Sequence, residues 1–467
     1  MSMDTYKKNL TEILEWVAVA SLTLIIILRV YAAFMTQPAL SHDDIHYRSV
    51  ASYLEPKVTL RQALINSFLP TTFNIGHRTA GYHSSLVMAI KIFKKFLEYE
   101  RIYQIGNLVW FVFQVVFMYL LSFWASKKQW FALSMTFLYL SMPIVFGMNR
   151  WVMTENFVFP AILSFGYFSV WLVTTRSVPG AGGKKDIIIK EILVPVVAAY
   201  CMGVFSTVRE YALPVMIALG LGAMMGLIIQ KRWLALSVFT LVFTPYAVAG
   251  VQGALPIIRN TLLKTGLSQT NYDWRVKFLR KPLHVWYYQM IVHSAGIAMT
   301  ILLLSGVTGI FYAAYSRVVP LVKNGKIELL KFIRSNFTGV NIVFICQVFM
   351  TVFYWVGASM AKAKFHRTTI LPIVMLLISL LMSIRVFNIS LEKIAVKVKL
   401  FLMSMILISW IVMGYQLFFA FDGGKSFVVI PYKMPTYNHP MHLRKLRGVG
   451  DWHVIEDEEL MKEIRGK

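Results

Sequence analysis

Apolar and polar residues alternate along this chain in long blocks, not in the short stripes of a water-facing helix. A stretch of about 20 apolar residues is long enough to cross the hydrocarbon core of a bilayer as a helix. Eleven such stretches can be read, at about 14–36, 103–124, 130–147, 155–174, 190–207, 212–230, 233–253, 290–315, 340–358, 369–385 and 400–420. The pattern predicts an all-α polytopic membrane protein. Residues 1–8 carry no small-residue cleavage site before the first stretch, which therefore reads as a retained anchor. The polar intervals are unequal: 37–102 and 254–289 are long, and 421–467 closes the chain as a polar tail. The first long interval has two segments with the pattern of interfacial helices, 43–54 and 84–99. A division follows, with a membrane domain at 1–420 and the tail at 421–467. No internal repeat is visible, so the repeat signature of many transporters is not seen.

Composition agrees and narrows the class. Of 467 residues, 57% are hydrophobic and 15% charged, with a mean hydropathy of +0.61. Soluble proteins carry roughly 25% charged residues, which excludes a single water-soluble domain. Cys201 and Cys346 both lie in apolar runs, which excludes a disulfide scaffold, a zinc ribbon and an iron–sulfur protein. The 25 methionines and the many aromatic residues fit lipid-facing packing and interfacial belts, with no cofactor role.

The charge balance is 47 Lys and Arg against 22 Asp and Glu, a formal +25. In a soluble protein that excess would suggest nucleic acid. Here the bases flank apolar stretches, so anionic membrane lipids and phosphate-bearing substrates are the expected partners, and nucleic acid is not. Lys and Arg in the short loops place the N-terminus in the cytoplasm. An odd number of spans then puts the tail outside, together with the loops 37–102 and 254–289. The external loops are basic too, but they are long, and the rule weakens there.

The few acids locate the candidate chemistry. Asp186, Glu191, Glu328 and Glu392 fall among bases and are expected to pair with them. Asp43, Asp44, Glu55, Glu98, Glu100, Glu155, Glu210 and Asp273 all fall at the predicted external ends of spans or in external loops. Glu155 opens a span, where a carboxylate gains from the helix dipole and the unpaired amides; its plain role is a helix start paired with Arg150. Glu210 follows Arg209 in a short external turn, and its plain role is a surface pair. Asp43 and Asp44 are neighbours in Ser41-His42-Asp43-Asp44-Ile45-His46-Tyr47-Arg48. Neighbouring helical residues point about 100° apart, so the two cannot share one role. One can act as a base while the other caps the helix. Neither they nor the flanking histidines have zinc-ligand spacing, and the residues leave divalent-metal dependence open.

These residues, taken in order, resemble a known family. An N-terminal span followed by an external loop opening on Asp43-Asp44-x-x-Tyr47-x-x-x-Ala51 resembles the integral-membrane GT-C glycosyltransferases, which include aminoarabinose transferases, protein O-mannosyltransferases and arabinofuranosyltransferases. Asn74-Ile75-Gly76-His77-Arg78-Thr79-Ala80-Gly81-Tyr82 is similar to the Arg…Gly-Tyr arrangement of the last group. Arg150-Trp151-Val152-Met153-Thr154-Glu155 is similar to the family's Arg-x-x-x-Thr-Asp turn, with Glu in place of Asp. Val208-Arg209-Glu210 stands where a basic–acidic pair is usual, and Lys364-Phe365-His366-Arg367 leads to Pro372 as in the family's Arg-Tyr-x-x-x-Pro segment. The likeness spans about 14–385 and consists of short, degenerate motifs in a shared order.

The resemblance implies transfer of a sugar from a polyprenyl-phosphate donor to a glycan, lipid or protein acceptor on the external or periplasmic face of a plasma or bacterial inner membrane. It implies inversion at the sugar carbon. It makes Asp43 the first choice as general base, Asp44 the alternate, and Glu155 an assisting carboxylate. Arg78, Arg150, Arg209, Lys364 and Arg367 become the candidates for the donor phosphate, with Tyr47, Tyr82, His46 and Glu210 beside them. A transporter or flippase of lipid-linked saccharides, or a polymerase of them, is the alternative. Span interiors almost free of acids, with the acids gathered at one face, favour a one-sided enzyme over a transporter.

Overall fold

The computed structural model describes residues 3–35, 47, 50–70, 74–75, 78–79, 81–148, 155–175, 184–207, 212–265, 295–323, 338–360, 366–389, 391 and 395–421. The chain is a bundle of long helices. They are α1 (Met3–Met35), α2 (Leu60–Phe68), α3 (Gly81–Phe93), α4 (Tyr99–Ser126), α5 (Gln129–Leu140), α6 (Pro143–Met148) and α7 (Glu155–Thr174). After these come α8 (Lys184–Ile187), a π turn (Ile188–Leu193), α9 (Val194–Gly203) and a 3-10 turn (Val204–Thr207). The series closes with α10 (Leu213–Ile229), α11 (Trp233–Thr265), α12 (Gly296–Lys323), α13 (Gly339–Met360), α14 (His366–Val386) and α15 (Ala395–Phe421). A two-residue antiparallel ladder, β1 (Asn74–Ile75) with β2 (Arg78–Thr79), is a minor departure from the all-helical expectation.

Among the described residues, seven helices are long and apolar enough to cross a membrane, and Leu213–Ile229 and Leu371–Val386 are shorter apolar helices. The chain is thus a multi-pass membrane protein. Several expected stretches take other bounds. The stretch 130–147 is broken into α5 and α6 at Ser141–Met142, because Pro143 starts a new helix and has no N–H to continue the old one. The stretch 190–207 changes winding twice. Pro195 has no N–H for the carbonyl at 191, and the residues before it are wound as a π turn, in which the Val194 N–H reaches Ile189 O.

The first long interval also differs. The expected helix 84–99 is α3, which ends at Phe93; Tyr99 already belongs to α4. One face of α3 is packed inside: Tyr82, His83, Ser84, Ser85, Leu86, Val87 and Ile90 are buried and α3 packs between α2 and α4, while Ile92 is exposed. Of the expected helix 43–54, residues 47 and 50–54 are helical, and 43–46 lie outside the described residues. The helix α2 is not among the expected elements, yet its start is written in the sequence. Thr59 Oγ1 accepts from the Gln62 N–H, and Gln62 Oε1 accepts from the Thr59 N–H, a capping box.

At the centre stands α7, packed by α4, α9, α10, α13 and α14. Its hydroxyls bond within the helix, Ser164 to Ala161 O and Ser169 to Gly166 O, which a helix in an apolar surround requires. Towards the rim, α1 packs on α5 and α15, and α12 on α15 and α14. Gly296 opens α12 with φ +79°, and a Cβ there would stand 3.0 Å from Pro143 Cδ, so both the backbone and the space call for glycine.

One end of the bundle is closed by bonded polar groups. Arg232 donates to Glu191 Oε1 at 3.0 Å, to Leu172 O at 2.9 Å and to Lys190 O at 2.8 Å. Gln230 Nε2 donates to Val173 O at 2.8 Å, so two residues just after α10 hold the last turn of α7. Lys190 pairs with Asp186 at 2.8 Å. Both Asp186 and Glu191 pair with bases, as the sequence predicts.

Candidate functional site

The opposite end carries Tyr47, Tyr82 and the start of α7. Tyr47 is 1% exposed and Tyr82 fully enclosed. Their rings meet edge-on, with centroids 5.4 Å apart and planes at 87°. The Tyr47 ring also faces His83 at 5.1 Å. Tyr82 stands there because Gly81 opens α3 directly after the β1–β2 ladder, in which Ile75 pairs with Arg78. From that helix start its hydroxyl donates to Asn107 Oδ1 on α4 at 3.2 Å.

The cluster continues through Phe157, two residues into α7 from Glu155. The Phe157 ring lies 6.4 Å from Tyr82, 4.0 Å from Trp110 and 5.3 Å from Phe205. Phe205 lies in the 3-10 turn four residues before Arg209. Thus Tyr47, the start of α3, the start of α7 and the turn before Val208-Arg209-Glu210 converge on one set of rings. Elements far apart in sequence are brought together, and each borders one of the candidate motifs.

Glu155 is the first residue of α7, Arg78 stands in β2, and Arg367 is the second residue of α14. Asp43, Asp44, His46, Arg150, Arg209, Glu210 and Lys364 lie outside the described residues.

Glu55, one of the eight acids set apart from the sequence, has a local structural role. Its Oε1 lies 2.7 Å from Lys94 Nζ and 3.2 Å from Lys91 Nζ, tying the turn after residue 54 to the end of α3. The hydrogen bond from Lys94 holds its carboxyl below the usual range, outweighing the opposing effect of burial, and Lys91 adds to it. Glu55 therefore serves the fold. Among the described residues, no group of three or more His, Cys, Asp or Glu is placed to hold a metal ion.

Sequence reasoning missed Arg29. It is 2% exposed inside the apolar part of α1, its guanidinium lies 4.8 Å from the Phe146 ring and 5.7 Å from the Phe111 ring, and Nη1 donates to Phe146 O. It thereby ties α1 to α6, which leads into the Arg150–Glu155 motif. The signal is there to read: a lone ionisable residue in an apolar span is costly and marks a place with a purpose.

No protein-family model and no curated protein sequence matches the chain. Solved structures similar to it include ArnT from Cupriavidus metallidurans bound to undecaprenyl phosphate, at 12% identity and a TM-score of 0.47, covering 95% of this chain and 77% of that one. An Archaeoglobus fulgidus oligosaccharyltransferase in complex with zinc and sulfate is similar at 12% identity and a TM-score of 0.45, covering 92% of this chain and 59% of that one. The archaeal oligosaccharyltransferase AglB from the same organism, with an inhibitory peptide and a dolichol-phosphate, is similar at 11% identity and a TM-score of 0.36, covering 95% and 55%. The chain thus spans less than two thirds of the two oligosaccharyltransferases.

Proposed function

We propose that this chain is a membrane glycosyltransferase of the GT-C type. It moves a sugar from a polyprenyl-phosphate donor to a hydroxyl of a glycan, lipid or protein acceptor, and 1–420 is its catalytic unit. The observation that carries the reading is the convergence of Tyr47, Tyr82, Phe157 and Phe205, since each ring borders a segment with a candidate carboxylate or base. The seven long apolar helices supply the membrane setting that a lipid-linked donor requires.

In this reading Asp43 takes the proton of the acceptor hydroxyl as its oxygen bonds to the sugar carbon, and the carbon–phosphate oxygen bond breaks on the opposite side. General-base help of this kind is commonly worth about 10²–10⁴-fold. Asp44 caps the helix or stands in for Asp43, and Glu155 orients the acceptor. Charge develops on the departing phosphate, and cations held ready for it lower the barrier. Arg78, Arg150, Arg209, Lys364 and Arg367 are assigned that role, with Tyr47, Tyr82, His46 and Glu210 beside the sugar. The reaction face is external, with the N-terminus in the cytoplasm.

Purified protein incubated with a polyprenyl-phosphate sugar and an acceptor tests this. Turnover without nucleotide sugar is expected, and Asp43→Asn is expected to lower it by at least about 10²-fold while thermal unfolding stays unchanged. A strict need for a nucleotide sugar would refute the donor class; full activity of Asp43→Asn would remove Asp43 as the base.

A further inference from the structure

A row of cations crosses the same end of the bundle as the Arg232–Glu191 pair. Lys127 ends α4 in a left-handed turn with φ 57°, its N–H bonded to Phe123 O, and its ammonium lies 5.7 Å from the Phe123 ring. Arg385, in the last turn of α14, lies with its guanidinium 5.6 Å from the Trp124 ring. Among the described residues neither forms an ion pair with an acid. Burial and the positive charge of Arg385 both push the Lys127 ammonium below its usual range, so the two cations sense each other. Next along the chain is Lys128. The row ends at Lys399, 5% exposed, 5.5 Å from the Trp130 ring and bonded to Thr11.

The helix C-termini of α4 and α14 each favour a nearby cation. That accounts for each base alone and not for placing Lys127 and Arg385 together without an acid. A second observation points to what completes the site. Val109, Val112, Phe113, Val116 and Phe123 are exposed along one face of α4, at helical spacing, and this stripe runs directly to Lys127. An apolar track ending at paired cations has the shape of a phospholipid, with acyl chain on the track and phosphate at the bases.

We propose that Lys127 and Arg385 bind the phosphate of an anionic glycerophospholipid whose acyl chain lies on the exposed face of α4. The site is separate from the ring cluster around Tyr82 and does not depend on the transfer reaction.

The test uses full-length protein, delipidated in neutral detergent and titrated with phosphatidylglycerol, phosphatidylcholine or inorganic phosphate while thermal unfolding is followed. Phosphatidylglycerol is expected to raise the midpoint, and the other two are not. The double variant Lys127→Gln/Arg385→Gln is expected to weaken the apparent affinity at least tenfold, while Arg385→Lys and the exposed Lys231→Gln keep it. Should the double variant fail to fold, single Lys127→Gln against Arg385→Lys carries the comparison. Equal stabilisation by the two lipids overturns the proposal, as does an undiminished response in the charge-removed variant. An equal response to inorganic phosphate overturns the lipid assignment in favour of a free anion.

Discussion

Helices α7 and α12 have nearly the same apolar character, yet their surroundings are opposite. In the most apolar stretch of α7, 83% of residues are buried within the protein; in that of α12, 17% are. In water such a difference would be written as polarity, but in a bilayer the solvent is as apolar as the core, so hydropathy cannot separate the two. What separates them is fit. Gly166 on α7 lies so close to α14 that a Cβ would stand 2.9 Å from Ile378 Cγ2, while a Cβ on Gly309 of α12 would meet nothing within 4 Å. Polar anchoring differs in the same sense, since Arg232 and Gln230 hold the carbonyls at the end of α7.

This comparison can be broken in four ways. The largest effect is expected at the anchor of α7. Glu191→Gln leaves buried Arg232 without its counter-charge and is expected to cost about 3–5 kcal/mol, seen as a large fall in the thermal midpoint of the purified protein. A fall no larger than that of an exposed lysine variant would mean that the pair does not secure α7. Next comes the central packing. A Cβ on Gly226 would stand 2.8 Å from Val173 Cγ1 of α7 and 3.1 Å from the backbone of Gly339. Since that backbone cannot yield, Gly226→Ala is expected to destabilise by about 1–3 kcal/mol.

The matched change at the rim, Gly309→Ala, is expected to stabilise by about 0.5–1 kcal/mol through helix propensity alone. Opposite signs for the same substitution would sharpen the contrast, and equal signs would erase it. The smallest effect is expected outside both helices, at Glu55. Its folded pKa is depressed, so the stability from its pairing is fully present at neutral pH and is lost as pH falls through that lowered value. In Glu55→Gln this acid-side loss is expected to vanish from a midpoint-against-pH series, with the neutral-pH midpoint slightly lower.

Much of the architecture is legible in the sequence because membrane crossing imposes length on apolar runs. The apolar run 155–174 coincides with α7, Glu155–Thr174. Less legible is the break at Pro143, which sits inside an unbroken apolar run and shows itself only through its missing N–H. Thr59 and Gln62 do announce α2, but nine residues without a long apolar run do not register as a span. The pairing of Lys91 and Lys94 with Glu55, 36 and 39 residues earlier in the chain, is set by long-range packing and is not written in local spacing.

The candidate site divides along the same line. That Tyr47, Tyr82 and the α7 start belong to one end follows from counting spans. That Tyr47 and Tyr82 touch, and that Phe157 and Phe205 join them, depends on long-range packing that no local spacing encodes. Arg29 escapes notice for the opposite reason: it lies within a run whose apolar average hides it.

The internal bonding of the α7 hydroxyls has a consequence for how the protein is made. Ribosomes deliver α7 to the membrane before α10, α13 and α14, the helices that later enclose it, have been synthesised. During that interval the helix faces lipid, where an unbonded hydroxyl would seek any partner at hand. Ser164, Ser169 and Thr174 each donate to a carbonyl of α7 itself, so the helix can wait among the acyl chains without recruiting a wrong neighbour. The most enclosed of the seven long apolar helices described is equipped for a period of complete exposure.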